Sequence, residues 1–130
     1  MIPTAVILCD DLIFTSKVSG TARAHGLAVV PAKTAETALH HAKIVHAKAV
    51  MIDLQLPAFD MNSFLVELRA LDPTIRTIAF GAHVDVKALK AARAAGCDIV
   101  KPRSQFVAEL EAELPKWFVS PVEAPVESVP

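Results

Sequence analysis

The strongest constraint in this chain is an alternation of two kinds of apolar segment. Short, continuous, β-branched runs take turns with longer stretches whose apolar residues recur at helical spacing. Ala5-Val6-Ile7-Leu8-Cys9 comes first and ends at Asp10-Asp11. A run that is apolar at every position suits a strand buried on both faces, as in a parallel sheet. Phe14, Val18, Ala22 and His25 follow at helical spacing, and Gly26 closes that helix. Leu27 to Val30 reads as a second strand, stopped by Pro31. Thr34 caps a helix with Ala35, Ala38, Leu39 and Ala42 on one face. Ala49 to Ile52 is a third strand, ending at Asp53. Asp60 caps a helix with Phe64, Leu65, Leu68 and Leu71 inward, and Asp72-Pro73 breaks it. Ile75 to Phe80 is a fourth strand. Asp85 opens a helix with Val86, Leu89 and Ala92, closed by Gly96. Cys97 to Val100 is a fifth strand. Ser104 caps a last helix with Phe106, Val107, Leu110 and Leu114, which ends at Pro115.

Five βα units with short connections imply a doubly wound α/β fold: one parallel sheet with helices on both faces. The 130 residues suit a single domain, and 53% hydrophobic against 21% charged excludes disorder over most of the chain. The expected division is a globular domain over residues 1–114 and a mobile, proline-rich tail over 115–130, tacked down by Trp117 and Phe118. The net charge of −1 gives no basic excess to drive binding to nucleic acid or an acidic membrane, so neither is expected as a partner. Two distant cysteines, Cys9 and Cys97, read as small hydrophobes in a reduced compartment. With no apolar run long enough to span a bilayer and no basic leader, the expected location is cytoplasmic.

In a doubly wound sheet the site lies at the carboxyl ends of the strands. Those ends carry Asp10 and Asp11, then Asp53, then Gly81, then Lys101 to Arg103. Three carboxylates at one edge repel each other, and a hard cation such as Mg²⁺ would relieve that. One carboxylate could also accept a phosphoryl group. The alternative is that Asp11 caps the first helix, Asp10 pairs with Lys101 or Arg103, and Asp53 caps its adjacent loop.

Other chemistries lack their residues. No glycine-rich dinucleotide or phosphate loop, no zinc spacing and no nucleophile turn is present. His40, His41 and His46 are poorly spaced for one metal-binding face. His83 reads as a solvated loop residue, and Cys9 as core.

Asp10-Asp11 after the first strand, Ile52-Asp53-Leu54-Gln55-Leu56-Pro57 and Ala94-Ala95-Gly96 together resemble the receiver domain of bacterial response regulators. The resemblance covers about residues 4–114 and implies the flavodoxin-like (βα)₅ fold. It implies Asp53 as phosphoacceptor from a histidine kinase. It also implies Asp10, Asp11, Asp53 and the Gln55 carbonyl as Mg²⁺ ligands, with Pro57 as the loop proline.

Two departures stand beside it. The family carries Thr or Ser after the fourth strand, ahead of a small residue; here Gly81 precedes Ala82 and supplies no hydroxyl. The lysine after the fifth strand has two candidate registers. Lys101-Pro102 looks like the family's Lys-Pro, but its spacing from Gly96 is short. The ungapped register, which we prefer, puts Arg103 there. The switch aromatic is then Val100, or Asp98 in the other register.

Two functions follow. One is a stand-alone pseudo-receiver, without enzymatic turnover, that acts through protein–protein contacts. Its partner would be a histidine kinase, a downstream signalling protein or a second copy of the chain. The exposed stripe Lys87, Lys90 and Arg93 on the fourth helix is its candidate docking face. The other is a working phosphoacceptor that uses Asp53 and Mg²⁺.

Overall fold

In the computed structural model, which describes residues 2–119, the apolar runs pair as one parallel sheet. The strands are β1 (Thr4–Leu8), β2 (Ala28–Ala32), β3 (Ala49–Asp53), β4 (Arg76–Gly81) and β5 (Ile99–Pro102). The helices are α1 (Leu12–Ala24), α2 (Ala35–Ile44), α3 (Met61–Leu71), α4 (Val86–Ala94) and α5 (Arg103–Trp117). The sheet order is β2-β1-β3-β4-β5. Every residue of β3 is buried, because β3 is central and covered on both faces.

The period of two along the strands sorts the core into two layers. Ile7, Met51, Ile78 and Phe80 pack on α1 and α5 with Phe14, Val18, Phe106 and Leu110. Val6, Leu8, Val50, Ile52 and Ala79 pack on α2, α3 and α4 with Phe64, Leu65, Leu68 and Ala92. Caps fix where the helices begin. The side chains of Asp11, Thr34, Asp60 and Asp85 accept from the backbone amides of Phe14, Thr37, Ser63 and Ala88. Gly26 and Gly96 take φ of +73° and +100°, the left-handed turn that ends α1 and α4.

Several expected boundaries move. The second strand is not stopped by Pro31 but continues through it to Ala32. The Ala28 amide bonds to the Pro3 carbonyl at 3.0 Å, so alternation turns the odd-numbered positions of this edge strand outward, where Pro31 loses no bond. The fifth strand is Ile99–Pro102 rather than Cys97–Val100. Asp98 is taken by Thr77, whose amide and hydroxyl both donate to its carboxylate. The last helix starts at Arg103 with no side-chain cap, so Ser104 is not its cap.

That helix also runs past Pro115 to Trp117. Proline removes one amide from the last turn, but Glu111, the residue that would receive it, is exposed to water. Trp117 is 2% exposed and stacks on Phe106 with ring centroids 5.5 Å apart, and Phe118 is buried beside it. Burying these rings outweighs the missing bond. The boundary placed at 114/115 therefore falls inside α5, and the rest of the expected tail, residues 120–130, lies outside the described residues. Among the described residues no helix is long and apolar enough to cross a membrane.

Trp117→Ala is expected to lower the unfolding free energy by about 3–5 kcal/mol, as for a buried large aromatic. Urea denaturation followed by circular dichroism measures it. A loss below about 1 kcal/mol would mean that α5 stops at Pro115 and Trp117 packs on nothing.

Candidate functional site

The order β2-β1-β3 reverses the direction of winding between β1 and β3, and a crevice opens there at the carboxyl ends. Asp53 is the last residue of β3 and is 3% exposed. A carboxylate so buried needs partners. Its Oδ1 accepts from the Gln55 amide at 2.9 Å. Its Oδ2 accepts from Arg103 Nη2 at 3.0 Å and from the Cys9 thiol at 3.4 Å.

Arg103 is the first residue of α5, one step beyond the end of β5. Its guanidinium reaches two carboxylates, Asp53 through Nη2 and Asp11 Oδ2 through Nη1 at 3.5 Å. It lies over the Phe14 ring, 4.4 Å from the centroid, and 5.5 Å from that of Phe80. A cation at a helix N-terminus opposes the helix dipole, and the two carboxylates offset that.

Asp11 has two tasks: its Oδ1 caps α1 through the Phe14 amide at 3.0 Å, and its Oδ2 faces Arg103. The Phe14 amide first, and Arg103 after it, hold the Asp11 carboxyl below the usual range. Asp10 points elsewhere. It is exposed and lines a groove of about 470 Å³ with Lys33, Leu56, Pro57 and Phe59. No ion pair among the described residues includes Asp10, so its expected pairing with Lys101 or Arg103 is corrected. Lys101 is drawn the other way, onto Glu109 of α5, and lowers that carboxyl's pKa. It is Arg103, not Lys101, that reaches Asp53.

Gly81 ends β4 beside the crevice. A Cβ there would lie 3.2 Å from both Cβ and Cδ1 of Leu54. Leu54 would have to shift by a few tenths of an ångström to admit a side chain at position 81. Ala82 begins the next turn, its carbonyl accepting from the Asp85 amide at 3.0 Å. Lys87, Lys90 and Arg93 are exposed along α4, next to the exposed Val84 and Val86. Arg93 also reaches the Val100 carbonyl at 3.4 Å. His83 is exposed.

The Gln55 backbone takes part through its amide, which donates to Asp53. The Cys9 thiol is buried in the core, as expected, and also donates to Asp53. The five-residue run from Ala5 to Cys9 signals its burial, but nothing in the sequence signals its partner.

A magnesium ion asks for an octahedron of oxygens. Here Asp11 and Asp53 share a guanidinium, Asp10 faces outward, and among the described residues no three acid, histidine or cysteine side chains group to hold a metal. As arranged, this donor set fits an organic cation and not an octahedral dication.

No family model matches the chain, and no curated protein sequence matches it. Solved structures do. A putative response regulator from Chloroflexus aurantiacus superposes with a TM-score of 0.76 at 22% identity, over 91% of this chain and 98% of that one. The chain has the response-regulator receiver fold. The receiver domain of a sensor histidine kinase from Pseudomonas aeruginosa, with magnesium coordinated in its active-site cleft, gives 0.75 at 21%, over 91% and 98%. A response regulator from Burkholderia pseudomallei, with a phosphorylated aspartic acid and calcium, gives 0.69 at 19%, over 88% of this chain and 69% of that one.

Arg103→Ala leaves Asp53 buried without its cation. Since Arg103 is itself partly solvated, the expected loss is about 2–3 kcal/mol, below that of a fully buried pair. Urea denaturation checks this, and a neutral result would show that Asp53 does not depend on Arg103. A second expectation concerns alkali. Burial, above all, pushes the Cys9 thiol up to about 11 from 9.0. The folded state then disfavours the thiolate, so the contribution is whole below pH 9 and is lost as pH rises toward 11. Cys9→Ala should flatten the fall in stability over that window; an unchanged slope would contradict it.

Proposed function

We propose that this chain is a receiver-type signalling module that works through protein–protein contacts without passing a phosphoryl group through Asp53. The observation that carries this is the state of Asp53: it is buried, and both its oxygens are engaged by Gln55, Cys9 and Arg103. An attacking carboxylate needs a cation beside it to neutralise the incoming phosphoryl group. Here the one cation on Asp53 is part of the fold. A receiver switch also needs a hydroxyl after β4 to draw a bistable loop toward phosphate, and Gly81 supplies none.

The output is then a surface rather than a reaction, and the module has no turnover of its own. We assign the docking role to α4, where Lys87, Lys90 and Arg93 are exposed beside Val84 and Val86. Basic side chains around a small apolar patch suit an acidic partner face. Solved neighbours include a receiver from a sensor histidine kinase and an activated receiver dimer, so the partner classes are a kinase, a further signalling protein or a second copy. A cytoplasmic location belongs to the same reading.

The second reading, a phosphoacceptor with Mg²⁺, is favoured by one observation: Asp53 stands at the end of β3 with Asp11 across the crevice, as the order of the sheet requires. Intact mass after incubation with acetyl phosphate and Mg²⁺ separates the two. We expect no adduct on the wild type and none on Asp53→Asn. One phosphoryl adduct, absent from Asp53→Asn, overturns the proposal. For the docking face, charge reversal at Lys87 and Lys90 should abolish capture of a partner in a pull-down, and unchanged capture would remove α4 from the interface.

A further inference from the structure

We propose that the Arg103 guanidinium is the resident cation of the crevice, standing between Asp11 and Asp53 in the place of a divalent metal ion, so that the module is built to exclude metal rather than to recruit it. This rests on reading the module as independent of phosphoryl transfer, and it goes further by assigning the residue responsible.

Four observations carry it. The guanidinium contacts a carboxylate oxygen on each side, Asp53 Oδ2 at 3.0 Å and Asp11 Oδ2 at 3.5 Å, using two different nitrogens. A planar fork, with N–H donors fixed in different directions, can face two separate carboxylates at once. Its position is set by the chain: Pro102, with φ of −58°, ends β5 immediately before it, and α5 starts on Arg103 itself. The guanidinium Cζ lies over the Phe14 ring, which belongs to a cluster of tilted rings with Phe80 and Phe106. Arg103 Nε is buried with no hydrogen-bond partner, so the side chain is seated by its terminal nitrogens and by the rings.

The alternatives for this role are engaged elsewhere. Lys101 is held by Glu109, and Asp10, which could complete an oxygen set, is exposed on the neighbouring groove. The charge balance also differs from that of a metal site. Arginine stays protonated at any working pH, so the cation does not leave by titration. A metal would have to displace a covalently tethered competitor, whose effective concentration is high.

The test measures metal alone. Mn²⁺ is titrated into the protein and free Mn²⁺ is followed by its electron paramagnetic resonance signal. The wild type is expected to leave the signal unchanged at millimolar metal. Arg103→Gln, with its fold checked by circular dichroism, should bind at least about tenfold more tightly than wild type, once the competing charge is gone. Adding Asp53→Asn to that variant should remove the gain. If Arg103→Gln does not fold, Arg103→Met replaces it; an uncharged side chain of similar reach also removes the competing charge, so binding should again exceed wild type. Wild-type binding as tight as the variant's, or a folded variant that binds no better, overturns the inference. The two proposals fail separately: an acetyl-phosphate adduct on Asp53 overturns the interaction module, whereas Mn²⁺ binding by wild type without an adduct overturns only the role of Arg103.

Discussion

A carboxylate at the buried end of the central strand must be neutralised where it stands. Asp53 closes β3, the one strand buried at every position, and a lone charge there would cost several kcal/mol. Three separate segments answer that demand: the turn after β3 through the Gln55 amide, the end of β1 through the Cys9 thiol, and the start of α5 through Arg103. None of these contacts is local except the first. The pocket therefore closes only when β1, β3 and α5 have assembled, and the charge on Asp53 links the crevice to the completed fold.

The same contact explains the placement of α5. Its N-terminus has no capping side chain and begins with a cation, two features that oppose helix formation. Asp11 and Asp53 offset the second. At the far end the helix continues through Pro115, against propensity, because Trp117 and Phe118 are buried against Phe106. Both ends of α5 are thus held by tertiary contacts, an ion pair at one and aromatic burial at the other. Propensity alone would start this helix later and stop it sooner.

That is also why α5 was the least legible element. The sequence pattern identifies Phe106, Leu110 and Leu114 as its buried stripe, since these repeat at helical spacing. It suggests Ser104 as cap and Pro115 as stop, because those rules describe a helix in isolation. The sheet was easier to read. The Ala5–Cys9 run and the Ala49–Ile52 run are apolar at every position, which only a doubly covered strand requires. Pro31 misled because its effect depends on which way an amide points, and that is decided by the neighbouring strand. At the site, residue types and the sheet edge were legible, but orientations were not. Asp10 and Asp11 are adjacent and chemically identical, yet one caps a helix and faces Arg103 while the other lines an open groove. Consecutive residues at a strand end point apart, and no property of the side chain reveals which of them turns inward.

The departures from the common receiver pattern form a consistent set. Gly81 leaves room that Leu54 occupies, so restoring a side chain there would force Leu54 to move. Arg103 puts a permanent charge where a metal and a phosphoryl group would each need access. Lys101, the residue whose sequence context looks most familiar, is spent on Glu109. Each change alone would weaken a phosphoryl switch, and together they favour a single packed arrangement of the crevice. Phosphorylation shifts a two-state element only if both states are within a few kcal/mol of each other. On the proposed reading, a guanidinium held by two carboxylates and an aromatic ring favours this one arrangement of the crevice. On that same reading, the module presents one constant surface to its partner, and its regulation depends on the partner's availability rather than on the chemistry of Asp53.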